Sequence, residues 1–171
     1  MNGDSIEVNT MPTLLVVDLL AEREAFGKKG VEEIVKHFPK HEILLWAPHI
    51  ENPIDYSFGT RIDEPDEYDV VVITGSRRNV SMWEPWMNRV AKLIKECEVP
   101  LYGICFGHQI LSKVNGGRVK QSKHREFGLA KIFKRKDSLF IKNFFKKKKI
   151  VKVWMSHADQ VSKLPKNFDV I

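Results

Sequence analysis

The stretch Val99-Pro100-Leu101-Tyr102-Gly103-Ile104-Cys105-Phe106-Gly107-His108-Gln109-Ile110-Leu111 decides how the chain folds. An apolar run enters a Gly-x-Cys-x-Gly frame and leaves as an amphipathic segment, which reads as a strand, a sharp turn and a helix. The two glycines leave room around the cysteine, whose backbone the tight turn strains. Cys105 then projects its sulfur at the carboxyl end of a strand, and the amino end of the following helix favours its thiolate. The competing reading is a cysteine buried on a core strand, the commonest setting of a free cysteine. The double-glycine frame coincides with the change from strand to helix, and this favours the elbow.

Upstream, Thr13-Leu14-Leu15-Val16-Val17-Asp18 is a short apolar run ending in an acid, the pattern of a central parallel strand. Val31, Ile34, Val35 and Phe38 form one stripe of a helix that Pro39 ends, and Ile43-Leu44-Leu45-Trp46 is a second strand stopped by Pro48. Residues 49 to 67 read as a long polar connection without a period. Tyr68 to Thr74 is the third buried strand, with Gly75-Ser76-Arg77-Arg78 turning at its carboxyl end. Trp86, Val90, Leu93, Ile94 and Cys97 mark one helix face, which makes Cys97 a core residue, and Val99 to Ile104 is the strand entering the elbow. Strands alternating with helices specify a parallel sheet covered on both faces, with ligands at the carboxyl ends of its strands; Gly75 and Cys105 both fall at that edge.

Past the elbow helix, anchored by Ile110, Leu111 and Val114 and terminated by Asn115-Gly116-Gly117, the pattern changes. Segments 117–121, 128–134, 138–145 and 150–155 are short and β-like or ambiguous, with few helical periods, and suit a small antiparallel extension. The expected fold is therefore α/β: a three-layer domain with a mostly parallel central sheet, helices on both faces, and the antiparallel extension after the elbow helix.

The totals fit that fold. The chain has 171 residues, 43% hydrophobic and 29% charged, enough for one soluble domain with a real core. Residues 1–12 read as a disordered polar leader and 13–171 as the domain. No apolar run approaches the ~20 residues of a membrane span, so the expectation is a cytoplasmic protein with no membrane partner. Cys97 and Cys105 are too few for a disulfide framework and are not placed as a metal clamp, and nothing in the sequence calls for a metal or cofactor. The net charge of +6 is concentrated in Lys146 to Lys149, with Lys131, Lys134, Arg135 and Lys136 nearby. Without interleaved exposed aromatics such a run is more often a solvated loop or edge, which argues against a nucleic-acid partner; docking on an acidic protein is an equal alternative.

Three pieces, the elbow, Arg125-Glu126-Phe127-Gly128, and Val153-Trp154-Met155-Ser156-His157-Ala158-Asp159-Gln160-Val161, resemble in the same order the motifs of class I glutamine amidotransferase domains. The last two are most similar to the glutaminase part of GMP synthetases. The resemblance implies that Cys105 attacks the side-chain amide of glutamine, releasing ammonia and leaving a γ-glutamyl thioester that water cleaves. The oxyanion formed on attack needs amide donors; the backbone N–H of Phe106 is one natural candidate and that of Gly75 the other. Gln109 and the Ser156 region, with His157, are implied to hold the substrate together with Gly75 and Ser76, and Arg125 to Gly128 to shape the same pocket. The implied partner is an acceptor or synthetase subunit.

The sequence also departs from the family. Gly75-Ser76-Arg77 stands where Gly-Gly-Pro is usual, a variant similar to stand-alone members such as plant γ-glutamyl peptidases, a branch that Trp86 also suits. Ala158 replaces a glycine, and residues 136 to 149 have no clear counterpart. The His-x-Glu motif that completes the family's triad does not occur: His37, His41, His49, His108, His124 and His157 all lie upstream of where it would fall, and none matches the base. The sequence thus reads as a C-terminally incomplete domain. The alternatives are a γ-glutamyl peptide hydrolase and an inactive glutamine-binding or regulatory subunit.

Overall fold

The computed structural model describes residues 11–22 and 24–171; the polar leader falls, apart from its last two residues, outside them. The chain divides into two compact units, one holding the residues up to Arg77 with Glu96–Gly107, the other Arg78–Lys95 with His108–Ile171.

The first unit is a five-stranded parallel sheet in the order β3-β2-β1-β4-β5, built from β1 (Thr13–Val17), β2 (Glu42–Trp46), β3 (Thr60–Ile62), β4 (Val70–Ile73) and β5 (Leu101–Gly103). Side chains alternate across a strand, so Leu14 and Val16 point to one face together with Leu45, Val70 and Val72. There they pack on Val31, Ile34 and Val35 of α1 (Glu24–Val35) and on Phe38 just beyond it. The other parity, Leu15, Val17, Val71 and Ile73, is equally inaccessible, so the sheet is covered on both faces. That double burial is why these strands read as unbroken apolar runs.

Strand β3 lies within the stretch expected to be a connection without regular structure. Three residues are too few to show a period, and their pairing comes from tertiary contacts. Thr60, Arg61 and Ile62 align with Leu44, Leu45 and Trp46, and the Arg61 guanidinium lies 2.8 Å from the buried Asp18 carboxylate and 4.7 Å from the centre of the Tyr56 ring. Burial and the Asp18 charge together push the Tyr56 phenol up to about 12.

The second unit contains α2 (Met87–Glu96, apart from its last residue), most of α3 (Phe106–Val114), β6 (Arg118–Phe133), α4 (Leu139–Phe145) and β7 (Ile150–Lys163). Met87, Val90, Leu93 and Ile94 are the buried stripe of α2. Cys97 falls outside that stripe: it lies past the end of the helix, half-buried, its thiol 3.4 Å from the Val99 carbonyl. Gly116 at φ 91° ends α3, where its N–H donates to Lys113 O at 3.1 Å.

Beyond α3 the structure corrects the expected series of short segments. Strands β6 and β7 are 16 and 14 residues long and form one antiparallel ribbon, with register shifts between Arg118 and Val119 and between Gln121 and Glu126. Bulges of this kind break the alternation that would have marked a single long strand. Residues 139–145 are helical; Ser138 caps them by accepting the Phe140 N–H at 3.2 Å, and only Phe145 is buried, so no full apolar stripe announces the helix. Lys146 to Lys149 are exposed in the turn between α4 and β7. No helix among the described residues is long and apolar enough to cross a membrane.

Candidate active site

The elbow forms where expected. Strand β5 ends at Gly103, Cys105 takes φ 52°, and α3 begins at Phe106. A positive φ costs an ordinary L-residue ~1–2 kcal/mol, and here it throws the sulfur clear of both elements at the carboxyl end of the sheet. The fold fixes the turn from beneath: Ile104 N–H donates to Ile73 O at 2.9 Å, and Gly107 lies so close to that carbonyl that a Cβ would stand 2.3 Å from it. Gly107 is therefore required by the close approach of the first turn of α3 to Ile73. Replacing Cys105 by glycine should remove the strain: Cys105→Gly is expected to raise the unfolding free energy by up to about 1 kcal/mol in urea denaturation. Unchanged or lowered stability would mean that the turn stores no strain.

Two opposing effects act on the Cys105 thiol. Although the residue is exposed, partial desolvation by the protein beside it pushes its pKa up; the Phe106 N–H, donating to the sulfur, pulls it part of the way back, and desolvation wins. From sequence the helix end alone carries weight, and the net direction is the opposite one. Alkylation of the thiol should consequently climb about tenfold per pH unit from neutrality through the ordinary thiol range without levelling off. A plateau at or below pH 7 in the rate of alkylation would contradict this balance.

Gly75 follows closely on the end of β4, on the neighbouring strand. A Cβ built on it would meet Cys105 Cβ at 3.7 Å, so the two backbones face each other closely. Thr74, fully buried, fixes this corner: its hydroxyl accepts the Leu19 N–H at 3.0 Å and donates to the Gly75 carbonyl at 2.8 Å, tying the end of β4 to the end of β1. Ser76 follows, half-buried. In this unit the fold thus gathers Cys105, Phe106, Gly75 and Ser76 at one sheet edge, the edge at which the sequence placed Gly75 and Cys105.

In the second unit, Asp159 is the hub. It is only 2% exposed, and its carboxylate accepts the Ser81 N–H and hydroxyl, each at 2.7 Å. Its carbonyl accepts the Gln109 side-chain amide at 3.0 Å and lies 2.9 Å from His157 Nδ1. The other ring nitrogen of His157 lies 2.9 Å from the Glu126 carboxylate. With acceptors on both sides, the ring is held in one orientation between β6 and β7. Gln109 and His157, expected to contact substrate, are thus brought together through β7. Ser156 is exposed and sits opposite Phe127 in the ribbon register. The Arg125 side chain lies outside the described residues. Partial desolvation of its exposed ring, and secondly the repulsion of His157, lower the pKa of His108, favouring its neutral ring. Thr74 and Ser81 carry no signal in the sequence that would place them at a site; Ser81 is 78 residues from Asp159, and nothing local marks the pairing.

Comparison with known proteins identifies the family. Residues 47–171 match the family model "Glutamine amidotransferase class-I". Over 101 residues, 59% of the chain, the sequence is 35% identical to the glutamine-hydrolyzing GMP synthase of Rhizobium rhizogenes, covering 19% of that protein. Over 88 residues, 48% of the chain, it is 44% identical to the glutamine-hydrolyzing GMP synthase of Wigglesworthia glossinidia brevipalpis, covering 17% of it. The matched part of the chain therefore spans under a fifth of either relative. A crystal structure of a glutamine amidotransferase from Thermotoga maritima superposes with a TM-score of 0.62 at 23% identity, covering 92% of this chain and 64% of that one, which supports the α/β fold. On the family match over most of its length, this chain belongs to the class-I glutamine amidotransferases.

Proposed function

We propose that the chain is the glutaminase half of an amidotransferase, acting through Cys105. The observation that carries this reading is the cysteine at φ 52° between β5 and α3, with the Phe106 N–H directed at its sulfur. The thiolate adds to the carbonyl carbon of the glutamine side-chain amide, and the oxyanion is taken by the N–H groups of Phe106 and Gly75. Each such donor is worth ~3 kcal/mol of transition-state stabilisation in hydrolases. The C–N bond then breaks, the proton given up by the Cys105 thiol ends on the leaving nitrogen so that ammonia departs, and the γ-glutamyl thioester is cleaved by water to glutamate and free thiol. Gly75, Ser76, Gln109, Ser156 and His157 are assigned to holding the substrate, with support from their motif positions. The names of the relatives support a synthetase partner that accepts the ammonia, and a cytoplasmic location goes with that role.

One observation favours a second reading. Both nitrogens of the His157 ring are engaged, by Glu126 and by the Asp159 carbonyl, which leaves this ring no open nitrogen for a further proton. A chain that binds a γ-glutamyl group without turnover accommodates that engagement and a thiol held protonated. A diazo-ketone analogue of glutamine separates the readings. Stoichiometric alkylation, seen by intact mass and lost in Cys105→Ala, with glutamate released from glutamine, is the expected result. Alkylation without release selects the binding protein, and no alkylation overturns both. Assaying γ-glutamyl peptides in parallel with glutamine decides the substrate; faster cleavage of the peptide would turn the assignment to a γ-glutamyl peptidase.

A further inference from the structure

Along the sequence the lysine run lacks interleaved exposed aromatics, but the fold supplies them. On the β6–β7 ribbon, Phe127, Leu129, Lys131 and Phe133 share one face, since alternate residues of a strand point the same way. Across from them in register stand Ser156, Trp154, Lys152 and Ile150. The aromatic members are open to solvent: Phe127 is 66% exposed, Phe133 53% and Trp154 78%. Lys131 pairs directly with Lys152, a like-charge opposition that costs stability in an isolated ribbon. No carboxylate occurs in 127–133 or 150–156. The end of the same ribbon, where Lys134 N–H meets Lys149 O at 2.9 Å, carries the remaining lysines of the basic run.

We infer that this face is a platform for single-stranded nucleic acid: bases stack on Trp154, Phe127 and Phe133, and phosphates sit against Lys131 and Lys152. The charge fits, because a polyanion relieves the opposed lysine pair. The pattern fits as well, because the central lysine pair is flanked along the pleated surface, in steps of about 7 Å, by Phe133 on one side and by Trp154 and Phe127 on the other. A second copy of the chain laid face to face would set lysines against lysines, and a flat lipid surface would press the central lysine pair into hydrocarbon. The inference does not rest on the chemistry proposed for Cys105.

The test is titration of the intact chain with a fluorescein-labelled 12-mer oligouridylate, following anisotropy and tryptophan emission. The expected result is saturable binding with quenching, the quenching lost in Trp154→Phe, and a logarithmic salt slope of about −1.5 or steeper from two or more phosphate contacts. Lys131→Glu with Lys152→Glu, and separately Trp154→Ala with Phe133→Ala, should each weaken binding at least about tenfold. These positions are exposed, and circular dichroism of each variant confirms that it folds. Alkylation of Cys105 on the same samples should be unaffected, so a failed oligonucleotide titration and a failed glutaminase reading are told apart. Three results would overturn the inference. One is binding without quenching that is lost only when Lys146 to Lys149 are replaced by serine. Another is equal affinity for polyglutamate of matched charge, which selects an acidic protein. The third is no oligonucleotide binding, whether the chain self-associates in sedimentation or binds vesicles of 30% phosphatidylserine instead.

Discussion

Gly107→Ala is expected to lower the unfolding free energy by about 2–3 kcal/mol and to cut alkylation of Cys105 at least tenfold in the protein that remains folded. The added methyl would lie 2.3 Å from the Ile73 carbonyl oxygen and 2.9 Å from the carbonyl carbon and Cβ of the same residue. Two of these atoms are backbone, which cannot rotate away as a side chain would, so α3 must lift from the end of β4. Alanine is the better helix former by ~1 kcal/mol, and that gain offsets only part of the overpacking. The same carbonyl receives the Ile104 N–H at 2.9 Å, so lifting α3 disturbs the residue on which the Cys105 turn is built. Gly116→Ala is the control. At φ 91°, with nothing within 4 Å of a Cβ, it should cost only the conformational penalty, ~1 kcal/mol, and leave alkylation alone. Urea unfolding of both variants, with intact mass after alkylation, checks the pair; a Gly107→Ala protein within 0.5 kcal/mol of the parent, a margin on the order of ordinary surface substitutions, would show that the elbow is not clamped there.

Asp159→Ala should cost about 3 kcal/mol, because the partly buried Ser81 N–H and hydroxyl lose the buried carboxylate that accepts both. Bonds to an ionised carboxylate are worth ~1.5–3 kcal/mol each, and an orphaned buried donor keeps its desolvation cost. Ser81→Ala removes only the hydroxyl bond and should cost ~1.5 kcal/mol in the parent but close to nothing in the Asp159→Ala background. That double-mutant cycle, read by denaturant unfolding, isolates the contact; additive costs would mean that the two residues do not act together. Gln109 and His157 bond to the Asp159 carbonyl rather than its carboxylate, so both contacts survive the substitution. The loss should accordingly fall on stability more than on alkylation of Cys105.

The two variants probe different kinds of legibility. Gly107 is marked in the sequence as a glycine beside a strained cysteine, although the atom it must clear, Ile73 O, cannot be named from there. Asp159 stands in a recognisable motif, but its partner Ser81 lies in a loop whose residues carry no period and no chemistry of their own. Strand β3 is hidden for the same reason: Thr60-Arg61-Ile62 has no strand signature until Arg61 meets Asp18 and Tyr56. The ribbon errs in the other direction, reading from sequence as several short pieces, because bulges near Arg118 and Gln121 interrupt the alternation that would have joined them.

By itself the sequence determined the parallel sheet, the elbow and the family resemblance. Runs such as Leu14 to Val17 and Val70 to Ile73 are apolar on both faces, and a Gly-x-Cys-x-Gly frame between a strand and a helix admits few conformations; both signals are local and survive without knowledge of contacts. Only the tertiary structure decided what surrounds them. It determined that partial desolvation outweighs the Phe106 N–H at the Cys105 thiol, that Asp159 ties Ser81, Gln109 and His157 together, and that one face of the β6–β7 ribbon presents aromatics and lysines to solvent. Each of these is a balance between groups far apart in the chain, and neither desolvation nor register is written in the residues that feel them.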